Sequence, residues 1–411
     1  MNATKGVFKK KQAKIPKQPI IQEEVPKIPS DFTSQVAKIL IKDGLINNKS
    51  VVCSPVSIDA VLRILAAGAK NSTLEELLRS LGHANLEELN AAARELATVL
   101  KGSENEDEDY APVISYVNAL WLDQRFLLDN LFQMVLRDVY NAEARAVDFK
   151  NQADEVVKEA NSWAEEQTKG MIKQVLTRDN IQDDTVLLLA NALYFNATWE
   201  KKFNQRLTKN ADFNLLNGDK IQVPFMNYNK DEYVDYGKFG ECQVIKMPYK
   251  NRNYYNYRKR FAMYIFLPNE SNGLPNLMET IKIDRNLFKV DRVKVKQVSI
   301  PKFNLESFVS LKESMKQLGL VLPFEETCKD FSGIIGVSDV VYVNDVVQKC
   351  RVVVDEQGTK AAAGTFARKE GSARSRLLPE IKFVADHPFM FMIREDVSGA
   401  LLFIGSMLRP Q

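Results

Sequence analysis

The amino-acid sequence predicts a mixed α+β fold built as one large domain. Three observations carry that reading. Apolar residues recur at helical spacing through the first part of the chain, whereas alternating or β-branched runs dominate later. No Gly/Ser-rich linker or change of composition divides residues 31–411, and a chain of 411 residues can bury a substantial core. Residues 356–380, between two strand-like segments, form a small, polar and charged stretch too long for an ordinary connector.

In chain order, helical periodicity covers roughly 31–44, 55–66, 73–81, 86–101, 127–138 and 151–168, with a further helix at 307–317. Strand patterns occupy roughly 111–122, 184–196, 289–303 and 340–355. Helices gather early and strands late, the order of an α+β chain rather than of repeated βαβ units.

Residues 1–30 stand apart from the rest. Lys5, Lys9, Lys10, Lys11, Lys14, Lys17 and Lys27 alternate with Pro16, Pro19, Pro26 and Pro29, and apolar residues are too sparse to bury, so a disordered basic extension is expected. It lacks the apolar core of a signal peptide. The net charge of +3 is too small to make nucleic acid the main partner, and no run of 18 apolar residues offers a membrane span. Cys53, Cys242, Cys328 and Cys350 are widely spaced in apolar or strand-like contexts without CxxC spacing, so buried free thiols are expected, not a metal site. Asn48-Lys49-Ser50, Asn71-Ser72-Thr73, Asn196-Ala197-Thr198 and Asn269-Glu270-Ser271 permit glycosylation in a secreted chain. Secretion, with the signal already removed, is the expected localisation.

Catalysis is poorly provided for. A Ser-His-Asp hydrolase needs a histidine beside its nucleophile, and the chain holds only His83, at a helix end, and His387, before Pro388 at a strand entry. No Gly-x-Ser-x-Gly elbow, phosphate loop or zinc motif occurs, so no catalytic residue, cofactor or metal ligand is assigned.

The long loop has its own pattern. If its backbone is extended, Thr359, Ala361, Ala363, Thr365 and Ala367 share one side, and all five are small. Lys360, Gly364, Phe366 and Arg368 take the other side, and no proline falls between Gly358 and Leu378. Such a segment suits either a flexible surface loop or a strand able to enter a sheet later. Upstream, the β-branched run Val340–Asp355 leads straight into Glu356-Gln357-Gly358-Thr359. Downstream, Pro379-Glu380-Ile381-Lys382-Phe383 leads to His387-Pro388-Phe389, and Leu401-Leu402-Phe403-Ile404-Gly405 closes the chain.

This combination resembles the serpin family. An acid-glycine-threonine-alanine hinge is followed by a proline-glutamate-aliphatic-lysine-phenylalanine strand and a His-Pro-Phe strand. The resemblance runs from about residue 30 to the end. Ser54-Pro55-Val56-Ser57-Ile58 and Ala67-Gly68-Ala69-Lys70 resemble the family's buried helix B, and Asn161-Ser162-Trp163 with Thr168-Lys169-Gly170-Met171-Ile172 resembles helix F and its exit. Asn191-Ala192-Leu193-Tyr194-Phe195 through Trp199 and Phe203 is similar to the central strand leading to the breach tryptophan. Val298-Ser299-Ile300-Pro301-Lys302-Phe303, Leu318-Gly319-Leu320 and Asp330-Phe331-Ser332-Gly333 follow in the family's order.

The resemblance implies a serpin fold with three β-sheets, about eight to nine helices and an exposed reactive-centre loop at about 356–379. It implies a monomeric suicide inhibitor, not an enzyme, that forms a covalent complex with a serine protease and inserts its cleaved loop into the main sheet. The hinge residues are then Glu356, Gly358, Thr359, Ala361, Ala362 and Ala363. Ser54, Ser57, Asn191 and Trp199 fall at the shutter and breach, where Gln348 replaces the frequent histidine and keeps the capacity to bond Asn191. The small hinge resembles that of inhibitory members and disfavours the alternative of a non-inhibitory carrier or chaperone. Together with the basic loop it resembles arthropod immune serpins, pointing to an extracellular immune or clotting-type cascade.

Counting from the hinge puts the cleaved bond at Ser372, and counting back from Pro379 puts it near Ser375, so the loop is about three residues longer than the family's usual. Arg374 lies between and suits the acidic pocket of trypsin-like proteases, which favours Arg374-Ser375. Arg376-Leu377 is the second choice, and Ser372-Ala373 would imply an elastase-like target. A heparin-like polyanion could be held by Lys250, Arg252, Arg258, Lys259 and Arg260, or by Lys289, Arg292, Lys294 and Lys296 along a strand. Mass spectrometry of the peptide released by a trypsin-like protease is expected to find a fragment starting at Ser375; a start at Ala373 or Leu377 rejects that assignment.

Overall fold

The computed structural model of the protein describes residues 30–100, 112–250, 259–359 and 381–410. The expected basic extension, up to residue 29, lies outside the described residues. Nine α-helices occur among those described. The first six are α1 (Asp31–Ile46), α2 (Pro55–Gly68), α3 (Asn71–Leu81), α4 (Leu86–Leu100), α5 (Asn130–Tyr140) and α6 (Ala153–Gln167). Short α7 (Leu274–Thr280), α8 (Lys312–Gln317) and α9 (Ser332–Ile335) follow.

Local chemistry sets several helix ends. The Ser30 hydroxyl accepts from Thr33 N (3.3 Å), Ser54 does the same for Ser57 N (3.3 Å) with Pro55 opening the helix, and Asp129 accepts from Phe132 N (2.9 Å). Gly82, at φ 73°, closes α3 in a conformation that favours glycine, and His83 N caps the Leu78 carbonyl at 3.0 Å.

Three sheets form the β-structure. The main one has six strands, in the order β12 (Phe303–Ser310), β13 (Val343–Val354), β14 (Gly358–Thr359), β4 (Leu187–Thr198), β2 (Val113–Asp123) and β3 (Ala142–Val147). The second has seven: β1 (Val51–Cys53), β17 (Leu401–Met407), β16 (Phe389–Glu395), β9 (Phe261–Pro268), β8 (Cys242–Pro248), β7 (Glu232–Phe239) and β10 (Asp291–Val295). The third has four: β15 (Lys382–Val384), β11 (Gln297–Pro301), β6 (Lys220–Asn227) and β5 (Lys209–Asn214).

Strand β4 reads as a near-continuous apolar run because both its faces are covered. On one face Leu188, Ala190 and Ala192 pack with Val156, Ala160 and Trp163 of α6, and Trp163 meets Trp121 edge to face at 5.5 Å. Leu189, on the other face, packs among the helices around α2, and Leu193 and Phe195 pack against the second sheet.

The structure departs from the sequence expectation in places. The helix expected over 307–317 starts only at Lys312, because Phe303–Ser310 is a strand whose Phe303, Leu305 and Ser307 point inward in strict alternation. The strand expected at 289–303 is two strands in different sheets, β10 and β11, parted at Lys296. All four cysteines are free and buried, and burial pushes each thiol pKa up. Of the four glycosylation triplets, Asn196 lies inside β4 paired with Val113, where no glycan fits, whereas Asn48, Asn71 and Asn269 are exposed.

Helix α2 is buried on nearly every side and carries a charged pair there. Asp59 and Arg63, one turn apart and essentially inaccessible, are ion-paired, and Arg63 also donates to the Leu89 carbonyl of α4 at 2.8 Å. The second Asp59 oxygen has no partner. Removing one member of such a pair strands a buried charge, whereas an apolar pair of similar volume does not. Asp59→Ala is expected to cost about 3–5 kcal/mol in urea unfolding, and Asp59→Leu with Arg63→Met to recover most of it; an equal loss in both variants rejects the stranded-charge account.

Candidate functional site at the mouth of the main sheet

Strands β13 and β4 run parallel and pair directly from Val343↔Leu187 up to Arg351↔Tyr194. Above that point they part, and Gly358 and Thr359 sit between them. Thr359 pairs antiparallel with Ala197 on one side and Val354 on the other, and Gly358 pairs with Thr198. The first two residues of a further strand therefore already occupy the gap.

The turn that brings them back is built by Asp355. One of its carboxylate oxygens accepts from Gln357 N (2.8 Å) and Gly358 N (3.2 Å), and its own amide donates to the Gly358 carbonyl at 3.0 Å. A Cβ at Gly358 would stand 2.0 Å from the Ala197 carbonyl oxygen, so only glycine allows this close approach. Thr359 is fully buried, and its hydroxyl shares a 2.7 Å hydrogen bond with the hydroxyl of Tyr249. Tyr249 stacks on Trp199 with ring centroids 4.5 Å apart, and burial pushes its pKa well above the ordinary tyrosine value. The Trp199 indole donates to the Asp355 carbonyl at 2.9 Å, and its backbone N donates to Gln357 O, also at 2.9 Å.

Glu356 is held from beneath. Its carboxylate accepts from Lys302 Nζ and Thr208 Oγ1, both at 2.8 Å, while its carbonyl accepts from Phe203 N at 2.9 Å. Burial alone would raise its pKa, but the bonds from Lys302 and Thr208 outweigh that and hold it below the usual glutamate value.

Lower down, Ser54, Ser57, Asn191 and Gln348 are all buried at the junction of α2 and the sheet. Gln348 does not bond the Asn191 side chain. Its Oε1 accepts from Ser54 N (2.8 Å) and its Nε2 donates to Ser54 O (3.0 Å), so both ends of the amide are used on the helix. Asn191 turns to its own neighbour, donating to Asn118 Oδ1 (2.8 Å) and Val117 O (3.1 Å), and leaves its Oδ1 without a partner.

Several expected residues fall elsewhere. Ala361, Ala362, Ala363, Ser372, Arg374, Ser375 and Arg376 lie outside the described residues, as do Arg252 and Arg258. On β10, Arg292 pairs with Asp235 (3.3 Å) and Lys294 with Asp231 (3.6 Å), while Lys289 donates to Asn286, so this strand is not an uncompensated basic stripe. Lys250, Lys259 and Arg260 flank the β8–β9 connection, and Lys296 N bonds Ile381 O beside β15. His387 is bound through both ring nitrogens, to Asp386 and the Pro268 carbonyl, each at 2.8 Å. Among the described residues no cluster of potential ligands could hold a metal ion. Sequence reasoning assigned no role to Tyr249, Thr208, Asp355 or Lys302. A short polar residue before glycine hinted at the Asp355 turn, but nothing local marks the others.

A family model described as serpin (serine protease inhibitor) matches residues 27–410. This chain belongs to the serpin family. The serpin is 36% identical to Serpin-Z3 of Arabidopsis thaliana over 394 residues, covering 93% of this chain and 97% of the relative. Among solved structures it is similar to Arabidopsis AtSerpin1 in its native stressed conformation, with TM-score 0.81 and 32% identity over 92% of this chain and 97% of that one. It is also similar to Serpin48, described as a highly specific serpin of the insect Tenebrio molitor, with TM-score 0.77 and 27% identity over 92% and 98%. The plant proteins share more of the sequence than the insect one, so the likeness is not to arthropod serpins in particular.

The Glu356–Lys302 pair sets a pH dependence. A carboxyl whose pKa is lowered by folding contributes stability that is present above its unfolded value and lost as pH falls through the folded one. Lys302→Ala removes one bond that lowers it, so acid loosening of the hinge is expected to begin at higher pH than in wild type. Fluorescence of Trp199 against pH, with Trp199→Phe as blank, reads this, and superimposable titrations reject the lock.

Proposed function

We propose that this serpin is a suicide-substrate inhibitor of a trypsin-like serine protease, trapping the acyl-enzyme by driving its cleaved loop between β4 and β13. The seating of Gly358 and Thr359 in the mouth of the sheet carries this reading. A strand has been started there with its backbone paired on both sides and its one polar side chain satisfied.

In this mechanism the protease serine attacks the Arg374 carbonyl, the Arg374-Ser375 bond breaks, and the new amino terminus departs with the downstream strand. The upstream segment, acylated at Arg374, is then free to extend the strand begun at Thr359. Each further loop residue meets the next residue down β4, so six positions on Thr365 comes opposite Asn191. There its hydroxyl finds the unpartnered Asn191 Oδ1, an acceptor left over in the present state. Ala361, Ala363 and Ala367 fall on the same inward side as Thr359 and meet Phe195, Leu193 and Leu189 without crowding. About a dozen new ladder hydrogen bonds at roughly 0.5–1.5 kcal/mol each make the insertion effectively irreversible.

A carrier or chaperone role is less well supported, because neither needs a hinge whose glycine and threonine are fitted to a strand position. We place the inhibitor outside the cell, in a protease cascade, on the exposed triplets at Asn48, Asn71 and Asn269. Thr359→Arg puts a charge where the Tyr249 hydroxyl now sits, so it is expected to abolish SDS-stable complexes with trypsin and leave a cleaved substrate. Complexes formed by Thr359→Arg at the wild-type stoichiometry reject insertion as the trapping step.

A further inference from the structure

The β4–β13 seam is bound differently along its length. In the middle, Gln348 and Asn191 face each other in register, yet Gln348 bonds α2 and Asn191 bonds β2. Neither central polar side chain bonds across the seam. At the base the arrangement is reversed. Asn344 is the extra residue of a β-bulge between the pairs Val343↔Leu187 and Asp345↔Leu188. Its Oδ1 crosses the seam and accepts from two β4-side backbone amides, Val186 N at 2.6 Å and Leu187 N at 3.2 Å. Next to it, the Tyr342 hydroxyl donates to the Asp184 carbonyl at 3.3 Å.

We infer that Asn344 is a clasp that closes the base of the insertion slot, so that the sheet opens from the mouth downward and the last step of opening is the release of Val186 and Leu187. This inference rests on the proposed insertion mechanism. The side chain of the bulged residue thus supplies one carbonyl oxygen to both amides across the seam. That oxygen cannot follow β4 when a strand separates the two, because it is fixed to β13 through its own backbone. Both amides therefore lose their acceptor together, and the incoming strand must supply new ones.

The clasp also marks a depth. Ten positions beyond Thr359, Lys369 comes opposite Leu187, and Glu370 comes opposite Val186. A strand can fill the slot as far as Arg368 with the clasp shut. Carrying Arg374 to the base requires it to open. Asn344 is thus a positioning residue for the final part of insertion, and in the uncleaved protein it resists spontaneous opening.

The test follows uptake of a synthetic peptide with the sequence of residues 359–371 by the full-length, uncleaved protein, read by mass and by resistance to urea. Asn344→Ala is expected to take up the peptide roughly tenfold faster than wild type, equivalent to about 1.4 kcal/mol in the barrier. Asn344→Ser, whose oxygen stops one bond short, should behave likewise and serves if the alanine variant does not fold. Asn344→Asp keeps an acceptor in place and should stay within about twofold of wild type. Wild-type rates in both the alanine and serine variants overturn the clasp while leaving the inhibitor reading intact. A wild-type chain that neither takes up peptide nor forms SDS-stable complexes with trypsin overturns both.

Discussion

The parallel pairing of β13 with β4 is the joint on which the rest of this serpin depends. It runs from Val343 to Arg351 with a bulge at Asn344 and is interrupted above, where Thr359 occupies the gap. Parallel strands need a long crossover between them, and here the connection from β4 to β13 spans residues 199–342, most of the second and third sheets and three helices. The two central strands of the main sheet thus belong to parts of the chain far apart in sequence. Nothing covalent nearby prevents their separation.

The hydrogen bonds around the joint follow the same division. On the β4 side, Asn191 binds β2. On the β13 side, Gln348 binds the start of α2, and the Ser307 hydroxyl of β12 accepts from Val52 N of β1 at 2.9 Å. No side-chain hydrogen bond joins Gln348 to Asn191 across the middle of the seam. Orphaned buried acceptors are costly, and Asn191 Oδ1 on β4 and the Ser57 hydroxyl on α2 are buried without a protein partner. At the mouth, Trp199, Tyr249, Lys302 and Thr208 bond the Asp355 carbonyl, the Thr359 hydroxyl and the Glu356 carboxylate, while Gln357 Oε1 and Thr198 Oγ1 have no partner.

Much of this was legible in the sequence for a physical reason. Helices α1 to α4 and α6 bury one face or all faces over several turns, so their periodicity is long enough to read, and β4 and β13 are long β-branched or apolar runs. In the hinge, the glycine and the small threonine read from the sequence are the two residues seated between β4 and β13. Strands β5 to β7 were not read, since short strands half open to solvent carry little periodic signal, β8 and β9 are short, largely buried runs without alternation, and Phe303–Ser310 alternates polar and apolar residues in a run too short to separate from a helix start. The Gln348 amide was expected to be able to bond Asn191 from its place in the family pattern, and register does set the two side by side, yet both ends of the amide bond the Ser54 backbone.

By itself the sequence determined the family, the order of the elements and the chemical character of the loop: small at the hinge and basic beyond it. These are local properties, fixed by residue type and spacing along the chain. Only the tertiary structure decided which groups meet across the seam. Glu356 meets Lys302 and Thr208, Thr359 meets Tyr249, and Asn344 meets Val186 and Leu187, each pair separated by 54 or more residues. Such contacts depend on strand register and on which half of the sheet a side chain can reach, and neither is written in local periodicity.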